Sequence, residues 1–423
     1  MIRIDEIYNN TFWPWFEKNR PDIRMFFCDP PGFTGPENLF NLEKQHTSKT
    51  DFVFFHDQEP VDVELYARLF DSVASRNWHI VLDKLPAETT SGKKQIRDNV
   101  FVKWPSEDIK VAFHSQYSQN AQDFFRDRHD DFIRFRQANS EFFDIGHIVV
   151  SERGQCLEQV CQQYGWQPHY YFYHGWACLD WFRGYDRSFL IPRAVDRTPT
   201  KTFMSANRIV AGKRDHRVLF LYHLFKQNIQ HNHISAPRVC QYEHVDISSI
   251  AQKYANVYHD IVQVLDRATL PRLFSGEHTQ QMTSCWLSNF AEAQDSLIYV
   301  PTETVYFGRR THITEKTFKA IALEMPFVLV ATAGSLEYLR EYGFKTFSGI
   351  FDEHYDTETD DLRRMELVIK LLVDLDSLTA KERQQIHRAC LPVVQHNFNH
   401  FYRGGFSDIL WKELVGMLEG LRV

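Results

Sequence analysis

Thr314-Glu315-Lys316-Thr317, with the helix-like run Phe318 to Leu323 behind it, decides how the rest of this 423-residue chain reads. In front stands a strand-like run, Leu297-Ile298-Tyr299-Val300, leading into Pro301-Thr302-Glu303-Thr304. Beyond the helix stands another, Pro326-Phe327-Val328-Leu329-Val330. A strand, a loop, a helix and a second strand make a βαβ unit. Thr314 is placed to cap the helix, because its hydroxyl can accept from the free amides of the first turn. Those amides and the helix dipole favour an anion at that end. Lys316 adds a full positive charge, and Glu315 beside it can accept hydrogen bonds from sugar hydroxyls. Together they suit a nucleoside diphosphate carrying a ribose. On local physics alone, a solvated Glu-Lys pair on an ordinary helix start is the commoner arrangement.

The wider series changes that weighting. Ile313 to Ile321 is followed by Pro326-Phe327-Val328, Gly334-Ser335-Leu336-Glu337-Tyr338-Leu339-Arg340, Gly343-Phe344-Lys345-Thr346-Phe347 and Phe351-Asp352-Glu353-His354-Tyr355-Asp356. This ordered series resembles the donor-binding half of a group of phage-encoded glycosyltransferases. More distantly it is similar to fucosyltransferases, in which a Glu-Lys pair opens a helix and a Pro-Val or Pro-Phe strand follows. The resemblance covers roughly residues 200 to 360 and is patchy over 50 to 185.

Composition agrees with a soluble globular protein of two domains: 43% hydrophobic, 24% charged and too long for one core. Aromatics at 15%, including 35 Phe, read first as core and second as stacking surface. A net charge of -7 argues against a globally electrostatic nucleic-acid binder. The arginines between Phe124 and Phe135 are interleaved with Asp127, Asp130 and Asp131, as on a solvated helix face. Seven scattered cysteines form neither a disulfide framework nor a zinc pattern and suit reduced thiols in a cytoplasm. Met1 to Glu6 carries no apolar signal core, and no run approaches the ~20 apolar residues of a membrane span.

The first half alternates short strand-like runs with helix-like pieces. The strands are Met25 to Cys28, Phe52 to Phe55, His79 to Leu82, Val111 to Phe113, Ile148 to Val150 and Tyr170 to Tyr173. The helices include Val61 to Ala74 and Gln155 to Tyr164. This alternation predicts an α/β, doubly wound, mainly parallel sheet with working residues at the carboxyl ends of strands. His56-Asp57-Gln58-Glu59-Pro60 directly follows such a strand. Asp57 or Glu59 can act as base toward an acceptor hydroxyl, or cap the helix that follows. A similar Asp-Gln-Glu-Pro tetrad in the phage group favours the base. Glu152 and His174-Gly175-Trp176 sit in further loops after strands and, with His56, are candidates for an acceptor pocket. A tryptophan such as Trp176 is nevertheless more often core than platform.

Between Phe189 and Thr202 periodicity breaks, and Ile191 to Thr200 holds two prolines and three charges, as in an interdomain linker. The second half restarts with strand Thr202 to Ser205, then Asn207 and the basic Arg208 and Arg217, and helix Val218 to Lys226. Arg208 or Arg217 can reach a diphosphate through a bidentate guanidinium, and the phage group carries a similar Asn-Arg then His-Arg. Asp352 to Asp361 and Asp374-Leu375-Asp376 resemble metal-binding patterns. The first precedes a helix start and the second lies in an apolar helix, so no metal is assigned. His231-Asn232-His233 has no third ligand for zinc.

The resemblance implies two Rossmann-like domains facing each other across a cleft, the GT-B arrangement. Expected boundaries are 1–190 for the acceptor side, 191–201 for a linker, 202–400 for the donor domain and 401–423 for a helix packing back on the first domain. A nucleotide sugar is then the substrate, and no cofactor is expected. Thr314, Glu315, Lys316 and Thr317 would hold the donor with Asn207 and Arg208 or Arg217. Glu303 would face the cleft, touching the sugar or polarising Lys316. The acceptor is a hydroxymethylated pyrimidine of phage DNA, which gives a host-cytoplasmic location, or a lipopolysaccharide or capsule glycan. A non-catalytic binder on the same fold is the third reading. Oligomeric state is open.

Overall fold

A computed structural model describes residues 167–182, 191–229, 231–240, 244–274 and 287–420, together with short pieces of backbone nearer the amino terminus. Asp57, Glu59, Glu152 and the predicted strands at His79 to Leu82 and Val111 to Phe113 lie outside the described residues. So do the helix Val61 to Ala74 and most of Gln155 to Tyr164.

The chain divides into two compact units, one comprising Ile2–Trp176 with Leu410–Val423 and the other Ala177–Ile409. In the first, strands β1 (Arg24–Phe27), β2 (Asp51–His56), β3 (Asp144–Val150) and β4 (Gln167–Tyr170) form one parallel sheet in that order. Register runs Arg24 to Phe52, Asp51 to Asp144 and His147 to Gln167. His56 is the last residue of β2, at a strand's carboxyl end.

One expectation fails here. The strand read at Tyr170 to Tyr173 ends at Tyr170, and helix α1 (Tyr173–Trp181) follows. Gly175 and Trp176 donate to the Phe172 carbonyl, so the chain is already turning. Phe172, Trp176 and Leu179 recur at helical spacing and are all buried. The local density of aromatic residues, which favours strands, masked that period. His174 and Trp176 therefore sit on a helix, not in a loop. Trp176, 1% exposed and edge-on to Trp411 at 6.2 Å, is core and no stacking platform. In the same unit Glu413 accepts from the Phe172 amide at 2.6 Å and pairs with Arg153 at 3.4 Å.

The second unit is built on β5 (Lys201–Ala206), β6 (Asn232–Ser235) and β7 (Ser296–Tyr299), in parallel order β7-β5-β6. The extended segment 326–330 adds itself beside β7 through parallel bridges Tyr299 to Phe327 and Thr302 to Val330. Helix α2 (His216–Lys226) follows β5, and α3 (Glu315–Ala322) lies between β7 and the 326–330 segment. The βαβ unit read from the sequence is thus present. Helix α3 stops at Glu324, whose φ of 51° is left-handed, while the Met325 amide reaches back to Ala320. Helices α4 (Ser335–Glu341), α5 (Asp361–Asp376), α6 (Ala380–Tyr402) and α7 (Gly405–Gly420) complete the chain. None of the described helices is long and apolar enough to cross a membrane.

The proline-containing segment 191–200 is firmly docked within this unit. The Glu324 carboxylate accepts from the Ala194 amide at 2.8 Å and pairs with Arg193. Arg197 donates to the Leu323 carbonyl at 2.6 Å, and His387 meets the Ala194 carbonyl at 2.7 Å. Apart from the single 3-10 turn Ala194–Asp196, the segment is anchored by side chains and not by a helix or strand ladder, which accounts for its lack of periodicity.

Helix α2 also carries a pH response. His223 is buried against Tyr222 and Tyr258, and burial pushes its pKa from 6.5 down to about 4. The unfolded chain takes up this proton near pH 6.5 and the folded chain does not until near pH 4. Its contribution to stability is therefore complete above pH 6.5 and falls as pH drops toward 4, by up to ~3 kcal/mol. Urea midpoints at pH 7 and pH 4.5 check this: His223→Gln should lose less stability across that interval than the wild type.

Candidate functional site

The polar residues around the Glu-Lys motif gather at the carboxyl ends of β5 and β7, where parallel sheets place their sites. Val300 donates to Met204, and Glu303 donates through its amide to Val330 at 2.9 Å, so the backbone remains sheet-like to Glu303. A hydroxyl-amide ladder ties the two strand ends. Ser205 Oγ donates to the Val300 carbonyl at 2.8 Å, Asn207 Nδ2 to Ser205 Oγ at 3.1 Å and Thr302 Oγ1 to Asn207 Oδ1 at 2.9 Å. Asn207 is fully buried, so it braces the strand ends and presents no surface to a ligand.

Glu303 departs from the expectation that it faces a cleft: it is 0% exposed. Its Oε1 accepts from the Thr314 amide at 3.2 Å and the Thr317 hydroxyl at 2.6 Å, and its Oε2 accepts from the Thr314 hydroxyl at 2.5 Å. A buried carboxylate must be fully satisfied, and these donors do so. Thr317, 0% exposed with its hydroxyl given to Glu303, is therefore part of the scaffold and not the donor contact expected of it. Thr314 occupies the N-cap position of α3 with extended backbone, yet its side chain caps no amide, because its hydroxyl is given to Glu303. The first-turn amides are thus left uncapped by Thr314, at an end where the dipole favours an anion.

Lys316 is where the sequence puts it, on the first turn of α3, and its ammonium is not loose in solvent. It donates to Thr304 Oγ1 at 3.2 Å, Thr314 Oγ1 at 3.1 Å and Glu315 Oε1 at 2.8 Å, with its side chain 24% exposed. Thr304 was not singled out from the sequence. Its signal was the hydroxyl pair flanking Glu303 at a strand end.

Arg217 belongs to the scaffold. Buried at 3% exposure, it donates to the Ile209 carbonyl at 2.7 Å, the Thr302 carbonyl at 2.7 Å and the Glu303 carbonyl at 3.3 Å. Burial, aided by the charge of Arg214, pulls its pKa down to about 9, while Glu303 and Glu315 oppose the shift. A guanidinium spent on backbone carbonyls is not presented to a diphosphate. Arg208, half-buried on the turn after β5, is the remaining arginine of the pair named from the sequence.

The acidic segments are structural. Asp356 accepts from the amides of Leu336 and Glu337 at the start of α4. Asp376 accepts from the Thr202 hydroxyl at 2.9 Å and the His231 amide at 3.1 Å, pinning the end of α5 to β5. His233 meets Asp295 at 3.0 Å. Among the described residues no group of three or more His, Cys, Asp or Glu could hold a metal ion. Replacing the exposed Asp374 by alanine should leave stability unchanged, whereas Asp376→Ala should cost about 1–3 kcal/mol in urea unfolding.

No protein-family model and no curated protein matches the chain. It is similar to a solved structure described as trehalose-6-phosphate from E. coli bound with UDP-2-fluoro glucose, at 11% identity and a TM-score of 0.34, covering 97% of this chain and 86% of that one.

Proposed function

We propose that this chain is a glycosyltransferase of the GT-B type, moving a sugar from a nucleotide sugar to an acceptor hydroxyl. The observation that carries the reading is the Lys316 ammonium, held by Thr304, Thr314 and Glu315 on the first turn of a helix at the carboxyl end of parallel strands. Lys316 would stabilise charge growing on the leaving diphosphate, with Arg208 as its partner. Glu315 would hold ribose hydroxyls. Asp57 or Glu59 would take the acceptor proton as the acceptor oxygen bonds to the anomeric carbon and the nucleoside diphosphate departs. His56, Glu152 and His174 would shape the acceptor side, with Trp176 as its support.

The acceptor we assign is a hydroxymethylated pyrimidine of DNA, on the resemblance of the donor-half motif series to phage enzymes. The net charge of -7 favours the second reading, a lipopolysaccharide or capsule glycan. A panel of nucleotide sugars, with nucleoside diphosphate release as readout, tests the transferase reading. Release stimulated by an acceptor is expected, and no release from any donor would leave a non-catalytic binder. Binding of hydroxymethylated DNA titrated against salt tests the DNA acceptor, since phosphate contacts along a duplex impose a steep negative slope and the absence of salt-dependent binding would favour the glycan.

A further inference from the structure

We propose that Glu303 is a positioning residue for Lys316, acting through the Thr314 hydroxyl: the buried carboxylate engages the proton of that hydroxyl and so turns its lone pairs toward the ammonium. This rests on the transferase reading above. A threonine hydroxyl has one proton and two acceptor lone pairs, and an ionised carboxylate only accepts. At 2.5 Å from Glu303 Oε2, Thr314 Oγ1 has its proton committed, so toward Lys316 Nζ, 3.1 Å away, it is an acceptor. The carboxylate itself cannot turn, because its other oxygen is held by the Thr317 hydroxyl at 2.6 Å and the Thr314 amide at 3.2 Å. Its backbone is fixed to the sheet through Val330, and the next residue, Thr304, supplies a second acceptor to the same ammonium. A lysine ammonium on its four-carbon stem otherwise samples many rotamers. Fixing it in advance is what makes a charge effective in a transition state.

The test compares Thr314→Val, Thr314→Ser, Glu303→Gln and Thr317→Val. An amide at position 303 donates to the Thr314 oxygen and turns its proton toward Lys316. Thr314→Val and Glu303→Gln should therefore lower kcat for nucleoside diphosphate release by roughly 10–100-fold, with KM for the nucleotide sugar changing less than about threefold. Thr314→Ser should restore most of kcat. Thr317→Val removes a bond to Glu303 without touching Lys316, and should lower the melting temperature but spare kcat. If Thr314→Val and Thr317→Val behave alike, Glu303 is only structural and the proposal is overturned. The second readout needs no turnover: the Nζ resonance and proton exchange of Lys316 in 15N-lysine-labelled full-length protein. Faster exchange in Thr314→Val but not in Thr317→Val supports the relay even if no nucleotide sugar is turned over, a result that would sink the transferase reading alone. An unchanged Lys316 resonance in Thr314→Val would sink the relay.

Discussion

Lys316→Ala is expected to lower kcat for nucleoside diphosphate release by about 10²–10³-fold while the protein stays folded. The ammonium is the positive charge at the uncapped start of α3, and alanine leaves only the dipole there. The Lys316 side chain is 24% exposed but that of Glu315 only 8%, so removing the ammonium takes a charged partner from a mostly buried carboxylate and should cost about 1–3 kcal/mol. Activity should therefore collapse while the melting temperature falls by only a few degrees. Lys316→Arg should recover little. A planar guanidinium does not reproduce a compact ammonium donating to Thr304, Thr314 and Glu315 in different directions. Steady-state release assays and thermal melts on the same preparations check both. Unchanged turnover in Lys316→Ala would remove Lys316 from the mechanism.

Arg217→Met should do the opposite, costing roughly 3–5 kcal/mol of stability. It removes a buried guanidinium from the Ile209, Thr302 and Glu303 carbonyls and leaves those groups without their donor. For a unit of this size the melting temperature should fall by about 10 °C. Arg217→Lys keeps the charge but replaces a rigid fork by a point donor, so it should rescue only part of the loss. The same experiment chooses between the two arginines named from the sequence. If Arg217 were a diphosphate ligand, its loss would raise KM for the donor and spare the melting temperature. That pattern is expected of Arg208→Ala instead.

Local order was legible without coordinates. Apolar runs at Leu297 and Pro326, the periodic face behind Thr314 and the alternation of the first half read as parallel α/β structure, and strands β1, β2, β3, β5 and β7 fall where they were read within a few residues. The first turn of α3 was legible too, since Lys316 and Glu315 are neighbours on one turn whatever surrounds them. The error at Tyr170 to Tyr173 came from weighing aromatic strand preference above the helical spacing of Phe172, Trp176 and Leu179.

Sequence alone determined the positions of β1, β2, β3, β5, β7 and α3 and the charge at the opening of α3, because propensity and periodicity act over a few neighbouring residues. Only the tertiary structure decided which polar side chains serve the fold. Arg217 finds its carbonyl at Thr302, 85 residues away, and Asp376 finds Thr202 at 174 residues. Burial in a dry interior obliges each such group to be paired, and the packing of strand ends, not chain proximity, supplies the partner. That is why Glu303, read as a carboxylate facing a cleft, is instead buried beneath the motif and holds it in place.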